Sequence, residues 1–163
     1  MPKLIKNHSV IDAHEALLAK DFAGELAGEH KIVPLAYWLA NAEALLLRSD
    51  IGVWIDSDEG PEELAPFVSK LSLIAVNFPS FRDGRGYSTA RLLRERYGFK
   101  GELRAIGDVL HDQLFYLKRC GFDAFAIRED KDAQAAMAGL NDFSDWYQGA
   151  TNDPLPLFRR RSS

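Results

Sequence analysis

Residues 81–98, FRDGRGYSTARLLRERYG, set five arginines around Gly84 and Gly86 in a chain whose net charge is −4. Over residues 82–104, seven cations face three acids, a local excess of four positive charges. Guanidinium groups grip oxyanions through paired N–H donors. Glycines allow positive φ and let the backbone approach such a group closely. Ser88 is placed to cap a helix starting here. Arg82, Arg85 and Arg91, with the N–H groups of that helix start, predict a site for phosphate, sulfate or carboxylate. A bound anion would offset the cost of Arg91 and Arg94 in first turns, where the helix dipole favours negative charge. The plainer alternative is a turn in which Asp83 pairs with neighbouring arginines while Arg94, Arg96 and Lys100 form a solvated face.

Other chemistry-bearing residues fall at predicted strand ends. Asp56, Asp58 and Glu59 follow the apolar run IGVWI, and Gly107–Asp108 follows ELRAI. Asp108 reads first as a helix N-cap and second as a general base. Asp112 lies four residues on, which in a helix is the same face. With Asp83 these acids offer carboxylates for Mg²⁺, yet no ligand spacing supports a metal site, and none is predicted. Tyr87 is the other candidate acid–base group; its plainer role is to pack on the sheet. His8, His14, His30 and His111 show no ligand spacing. The single cysteine, Cys120, excludes an internal disulfide and a four-cysteine cluster, and reads as buried and inert.

At 163 residues, 47% hydrophobic and 27% charged, the chain is long enough for one core and too apolar for disorder. Its acidic balance argues against nucleic acid as a partner. The N-terminal stretch lacks the apolar core of a signal peptide, and no run approaches the ~20 residues of a membrane span. A cytoplasmic protein is the expectation.

The elements that position these residues alternate. Residues 1–30 are weakly patterned; LIKNHSVID suggests a hairpin, and AHEALLAKDF a helical turn or a loop. Over 31–148, KIVP, IGVWI, SLIAVNF, ELRAIGD and DAFAIRE read as strands separated by helices. Pro34 and Pro61 open helices; Gly98 and Gly121 close them. Residues 149–163 read as an extended basic tail. Repeated β–α units imply a mostly parallel sheet in an α/β domain. Two architectures fit: an open doubly wound sheet, or a partial TIM-like barrel that would complete itself as a homodimer. In both, ligands sit at the carboxyl ends of the strands. No dinucleotide fingerprint or P-loop follows any strand.

The run from FPSFRDGRGYSTARLLRERYG through GDVLHDQLFYLKRCGFDAFAIRED resembles a bacterial domain-of-unknown-function family. Its members are commonly labelled as oxidoreductases involved in sulfite reduction. The matching positions are Asp83, Gly84, Arg85, Gly86, Tyr87 and Ser88, then Arg91, Asp108, Asp112 and Gln113. The resemblance extends from about IVPL to PLFRRR. It implies a role in sulfur assimilation beside sulfite or nitrite reductase and the enzyme that reduces activated sulfate. It supplies no mechanism. No nicotinamide fingerprint, iron–sulfur cysteine set or redox dithiol is present, and no cofactor is evident; a flavin seated without a short motif is the one left open. The expectation is an accessory protein of assimilatory sulfate and sulfite reduction that binds an oxyanion or phosphate-bearing ligand at the Arg–Gly turn. The alternatives are an oxidoreductase acting at the strand ends, with Asp108 or Tyr87 as acid–base group, and a ligand-free scaffold for a reductase.

Overall fold

A computed structural model describes residues 3–7, 9–80 and 84–127. Lys3–Lys6 (β1) and Ser9–Asp12 (β2) form the expected hairpin, with Asn7 turning the chain at φ 54°. The AHEALLAKDF stretch forms no helix; Ala16–Leu17 is a short strand, β3. Then follow β4 (Lys31–Pro34), β5 (Ile51–Ile55), β6 (Leu73–Phe78), β7 (Glu102–Gly107) and β8 (Ala124–Ile127).

Helical segments link the strands. Between β4 and β5, the single helix expected is split at Asn41 (φ −124°) into α1 (Leu35–Ala40) and α2 (Ala42–Leu45). A 3₁₀ run, Glu62–Lys70, joins β5 to β6. Between β6 and β7, α3 (Arg85–Arg91) widens into a π turn over Leu92–Arg96 and stops at Gly98 (φ 69°). A 3₁₀ turn, His111–Gln113, leads into α4 (Leu114–Cys120), which Gly121 closes at φ 116°. The predicted last helix and the tail, all beyond residue 127, lie outside the described residues, as do Arg82 and Asp83.

The strands pair in the order β2-β1-β8-β7-β6-β5-β4-β3, parallel except for β1. From β3 to β8 each new strand is added on the same side. A doubly wound sheet needs a reversal of strand order, and none occurs among the described strands. The sheet is the barrel-like alternative, curled into a half-barrel and flanked by helices. Chain length requires the curl. The two edge strands, β2 and β3, are joined by residues 13–15 alone. Four Cα steps reach roughly 14 Å. Laid flat, the seven spacings between those edges would span about 34 Å.

Alternation along the strands builds two apolar layers. Val53, Ile55, Ile74, Val76, Leu103 and Phe125 face the helices in the main core. Ile32, Trp54, Leu73, Ala75 and Ile106 pack on the other, inner face. The N-terminal segment crosses this inner face. Ala13 is buried with Leu4 and Ala124, Glu15 pairs with Arg104, and the Trp54 indole donates to the Leu18 carbonyl. The inner face is therefore filled largely by this chain itself. Among the described residues no helix is long and apolar enough to cross a membrane.

Candidate functional site

Because β5, β6 and β7 are neighbours, the strand ends singled out above meet on one rim. Asp56 is its hub. Its Oδ1 accepts from Asn77 Nδ2 at 2.9 Å and from the Ser57 N–H at 2.8 Å; its Oδ2 lies 3.0 Å from Lys20 Nζ. Its own N–H donates to Glu59 Oε1. Burial pushes the Asp56 carboxyl up, but the donors from Asn77, Ser57 and Lys20 outweigh it and hold the group below its ordinary value. Lys20 also binds Asp58 at 2.7 Å; hydrogen bonds to Asp58 and Asp56 raise its pKa. Two of the three acids of the β5 end, Asp56 and Asp58, thus share a single cation from the N-terminal segment.

Beside this hub, Asn77, Phe78, Pro79, Gly107 and Asp108 line an open depression of about 470 Å³. Gly107 turns the chain at φ 91°; a β-carbon there would run into Asn77 Oδ1 and the Phe78 carbonyl. The Asp108 N–H donates to that same carbonyl at 2.7 Å. Asp108 stands three residues before the 3₁₀ turn, and Gln113 takes the N-cap position of α4. Asp108 therefore lies in no helix, and the four-residue spacing to the exposed Asp112 places no shared helical face. Among the described residues no group of three or more His, Cys, Asp or Glu side chains could hold a metal ion.

The Arg–Gly turn comes apart into separate roles. Arg85 opens α3, is exposed, and its Nη2 reaches Ser57 Oγ at 3.4 Å, across to the β5 end. Gly84 sits at φ −82° with open space around it, so it supplies no positive φ. Gly86 is buried inside α3, where a β-carbon would meet the Phe78 ring at 2.5 Å; it serves helix-to-sheet packing. Ser88 lies within α3 and Gly84 takes the N-cap position, which corrects the capping role expected for Ser88. Arg91 falls in the last turn of α3, 3.6 Å from Glu95, roughly 9 Å of helix rise away from Arg85.

Arg94 is a structural residue rather than part of a solvated face. Its Nε donates to Gly121 O, and its Nη1 to Phe99 O and Gly101 O, all at 2.9 Å. Burial lowers its pKa even so. The helix-dipole problem raised by the sequence disappears here, because Arg91 and Arg94 stand late in the helix rather than early.

Tyr87 is half-buried between α3 and α4, against Phe78 and Tyr116 at ring distances of 5.2 and 4.9 Å. Its hydroxyl accepts from Gln113 Nε2 at 3.3 Å. Burial raises its pKa, with smaller contributions from Cys120 and Tyr116. It does not line the depression. Cys120 is fully buried on the same side, and burial raises its pKa against the opposing Arg91.

Asn77, Ser57 and Lys20 also belong to this rim, though they are not among the residues expected there from sequence. Asn77 had a signal: it is the lone polar residue in the run LIAVNF. Lys20 had none, being distant in sequence from everything it touches.

None of the curated proteins matches the chain. A family match does cover the rim, running from β5 through β8 and including Asp56, Asn77, Arg85 and Asp108. Over residues 52–158 the sequence fits the family described as bacterial protein of unknown function (DUF934), and the chain belongs to that family.

Proposed function

We propose that this protein binds an oxyanion or phosphate-bearing ligand on the rim between Arg85 and the ends of β5 and β6. We further propose that it serves as an accessory protein of assimilatory sulfate and sulfite reduction. One observation carries the binding reading: the Arg85 guanidinium spans from α3 to Ser57 Oγ and stands over the strand ends where a barrel-type sheet binds ligands. An exposed guanidinium held beside a hydroxyl offers the donors an oxyanion needs. The sulfur role rests on the motif resemblance, and a sulfite, nitrite or activated-sulfate reductase is the partner it implies.

Thermal unfolding in sulfate or phosphate, against chloride at matched ionic strength, tests the binding reading. Wild type should gain several degrees and Arg85→Ala should not; equal gains in both remove the site. Deletion of the gene should slow growth on sulfate and leave growth on cysteine unchanged. Equal growth on both removes the sulfur role.

A second reading, an oxidoreductase, is favoured by the position of Asp108 on the depression. A yellow protein with a flavin spectrum, and loss of turnover in Asp108→Asn, would support it over the binding role.

A further inference from the structure

β3 and β4 are parallel neighbours, and the connection between such strands is ordinarily a helix. Here residues 18–30 make the return without a regular element, and ten of the thirteen are exposed. A structureless run of this length is uncommon in a compact domain, and lids over functional sites are one of its uses.

The run is pinned at defined points. The Leu18 N–H donates to Ile32 O, and its carbonyl accepts from Trp54 Nε1, both at 2.9 Å. Further on, the Tyr37 hydroxyl donates to Gly24 O and Arg48 Nη2 to Gly28 O, both at 2.8 Å. Five residues, 19–23, lie between the first two anchors. Two side chains fasten them to the rest of the fold. Half-buried Phe22 sets its ring edge-on to Tyr37, 4.9 Å away. Lys20 reaches the β5 end, 3.0 Å from Asp56 Oδ2 and 2.7 Å from Asp58 Oδ1. Gly24, at φ 97° with open space around it, lets the chain turn where this stretch ends.

Charge makes Lys20 the decisive contact. It is the one lysine or arginine in residues 18–30, against Asp21, Glu25 and Glu29. Without it an acidic segment would meet an acidic strand end. The Lys20 side chain is 45% exposed and that of Asp58 63%. Ion pairs this wet are weak and screened by salt. Such a contact opens by local fluctuation while the sheet stays folded. Asp56 keeps its bonds from Asn77 and the Ser57 N–H when Lys20 leaves, so the rim itself holds its shape.

We propose that residues 19–23 form a lid on the β5 end of the rim, with Lys20 as its latch and Leu18 and Gly24 as the points about which it swings. Latched, the Lys20 ammonium covers Asp56 Oδ2 and Asp58 Oδ1; released, it uncovers both. The lid goes beyond the anion-binding reading and holds whatever ligand the rim takes.

A protease that cuts before aspartate reads the lid at the Lys20–Asp21 bond, in the full chain without ligand. Rates come from intact mass, each divided by that of the matching short peptide, at about 0.01 M and about 1 M salt. At low salt Lys20→Gln should be cut about two- to fivefold faster than wild type, the worth of exposed ion pairs. High salt should bring wild type up to the variant and leave the variant within about twofold. Asp56→Asn combined with Asp58→Asn should match Lys20→Gln, and adding Lys20→Gln to that pair should change nothing further. Cleavage before Asp50, at the start of β5, gauges global opening and should stay equal throughout. Equal rates at the Lys20–Asp21 bond in wild type and Lys20→Gln at low salt overturn the latch. Acceleration at both bonds together overturns the lid, because the whole domain then opens. Neither result bears on the anion site, which the Arg85→Ala comparison reads separately.

Discussion

Glu15 and Arg104 meet at 3.0 Å across the inner face of the sheet, the N-terminal segment supplying the acid and β7 the base. Arg104 is only 3% exposed, and it also grips Glu102 through Nε and Nη2 at 2.7 Å each. Glu102 in turn binds Lys6 of β1. One guanidinium therefore ties the segment crossing the barrel to the strand beneath it. Arg104→Ala would leave the half-buried Glu15 without this partner and Glu102 with Lys6 alone, and a loss of about 1–3 kcal/mol is expected by urea unfolding. A loss under 1 kcal/mol would show that the segment is not held here.

Acid should loosen the same contacts. Burial raises the Glu15 carboxyl, but Arg104 outweighs it and holds the group below its ordinary value of 4.5. Asp50 is drawn down to about 2 by bidentate Arg48 and by the His30 N–H. A carboxyl lowered in the folded state stabilises above its unfolded value and loses that contribution as pH falls through the folded one. The midpoint urea concentration should thus fall between about pH 4 and pH 2. Asp123 works in the opposite sense, because burial raises its pKa and acid relieves it. Carboxyl NMR titration should place Asp50 near 2; a midpoint near 4 would contradict the paired geometry.

The two glycines of the Arg–Gly turn should respond oppositely to alanine. At Gly86 the new methyl meets the ring of Phe78, itself 3% exposed and unable to swing aside. A loss of about 1–3 kcal/mol is expected by chemical denaturation. Gly84 has helical φ and open surroundings. Alanine there should be neutral or stabilise by up to about 1 kcal/mol. Equal responses would mean that α3 does not pack on Phe78 as described.

Arg94→Ala should cost about 2 kcal/mol or more, since three carbonyls at the ends of two loops lose one shared donor. Arg94→Lys should recover only part, because an ammonium lacks the planar fork that serves all three. Thermal unfolding of the pair provides the check; full recovery by lysine would show that charge alone matters.

Cys120 should resist thiol reagents in the native protein and react freely in urea. It is fully buried, and burial raises its pKa despite the nearby Arg91. Stoichiometric labelling within minutes at pH 7 in buffer would refute that placement.

Much of the fold was legible because its signals are local. Apolar runs, proline and glycine punctuation and the hairpin at Asn7 marked every long strand in order. The helices were less legible. Asn41 splits one, and α3 starts at Arg85 rather than after Ser88, which moves Arg91 and Arg94 from the first turns to the last. Four residues of offset reverse a helix-dipole argument, and composition alone does not set such a boundary.

The sequence by itself determined an alternating α/β chain with a mostly parallel sheet, polar and charged residues at the strand ends, and a buried cysteine. Those follow from periodicities of two and 3.6 residues and from side-chain type, which each segment carries alone. Tertiary structure decided that strands add in one direction and curl rather than reverse. It decided that Gly86 serves Phe78 and that Arg94 serves three carbonyls. It also brought Lys20, Asp56 and Asn77 together from the N-terminal segment, β5 and β6. These outcomes depend on which strand becomes whose neighbour, a long-range choice that no local pattern encodes.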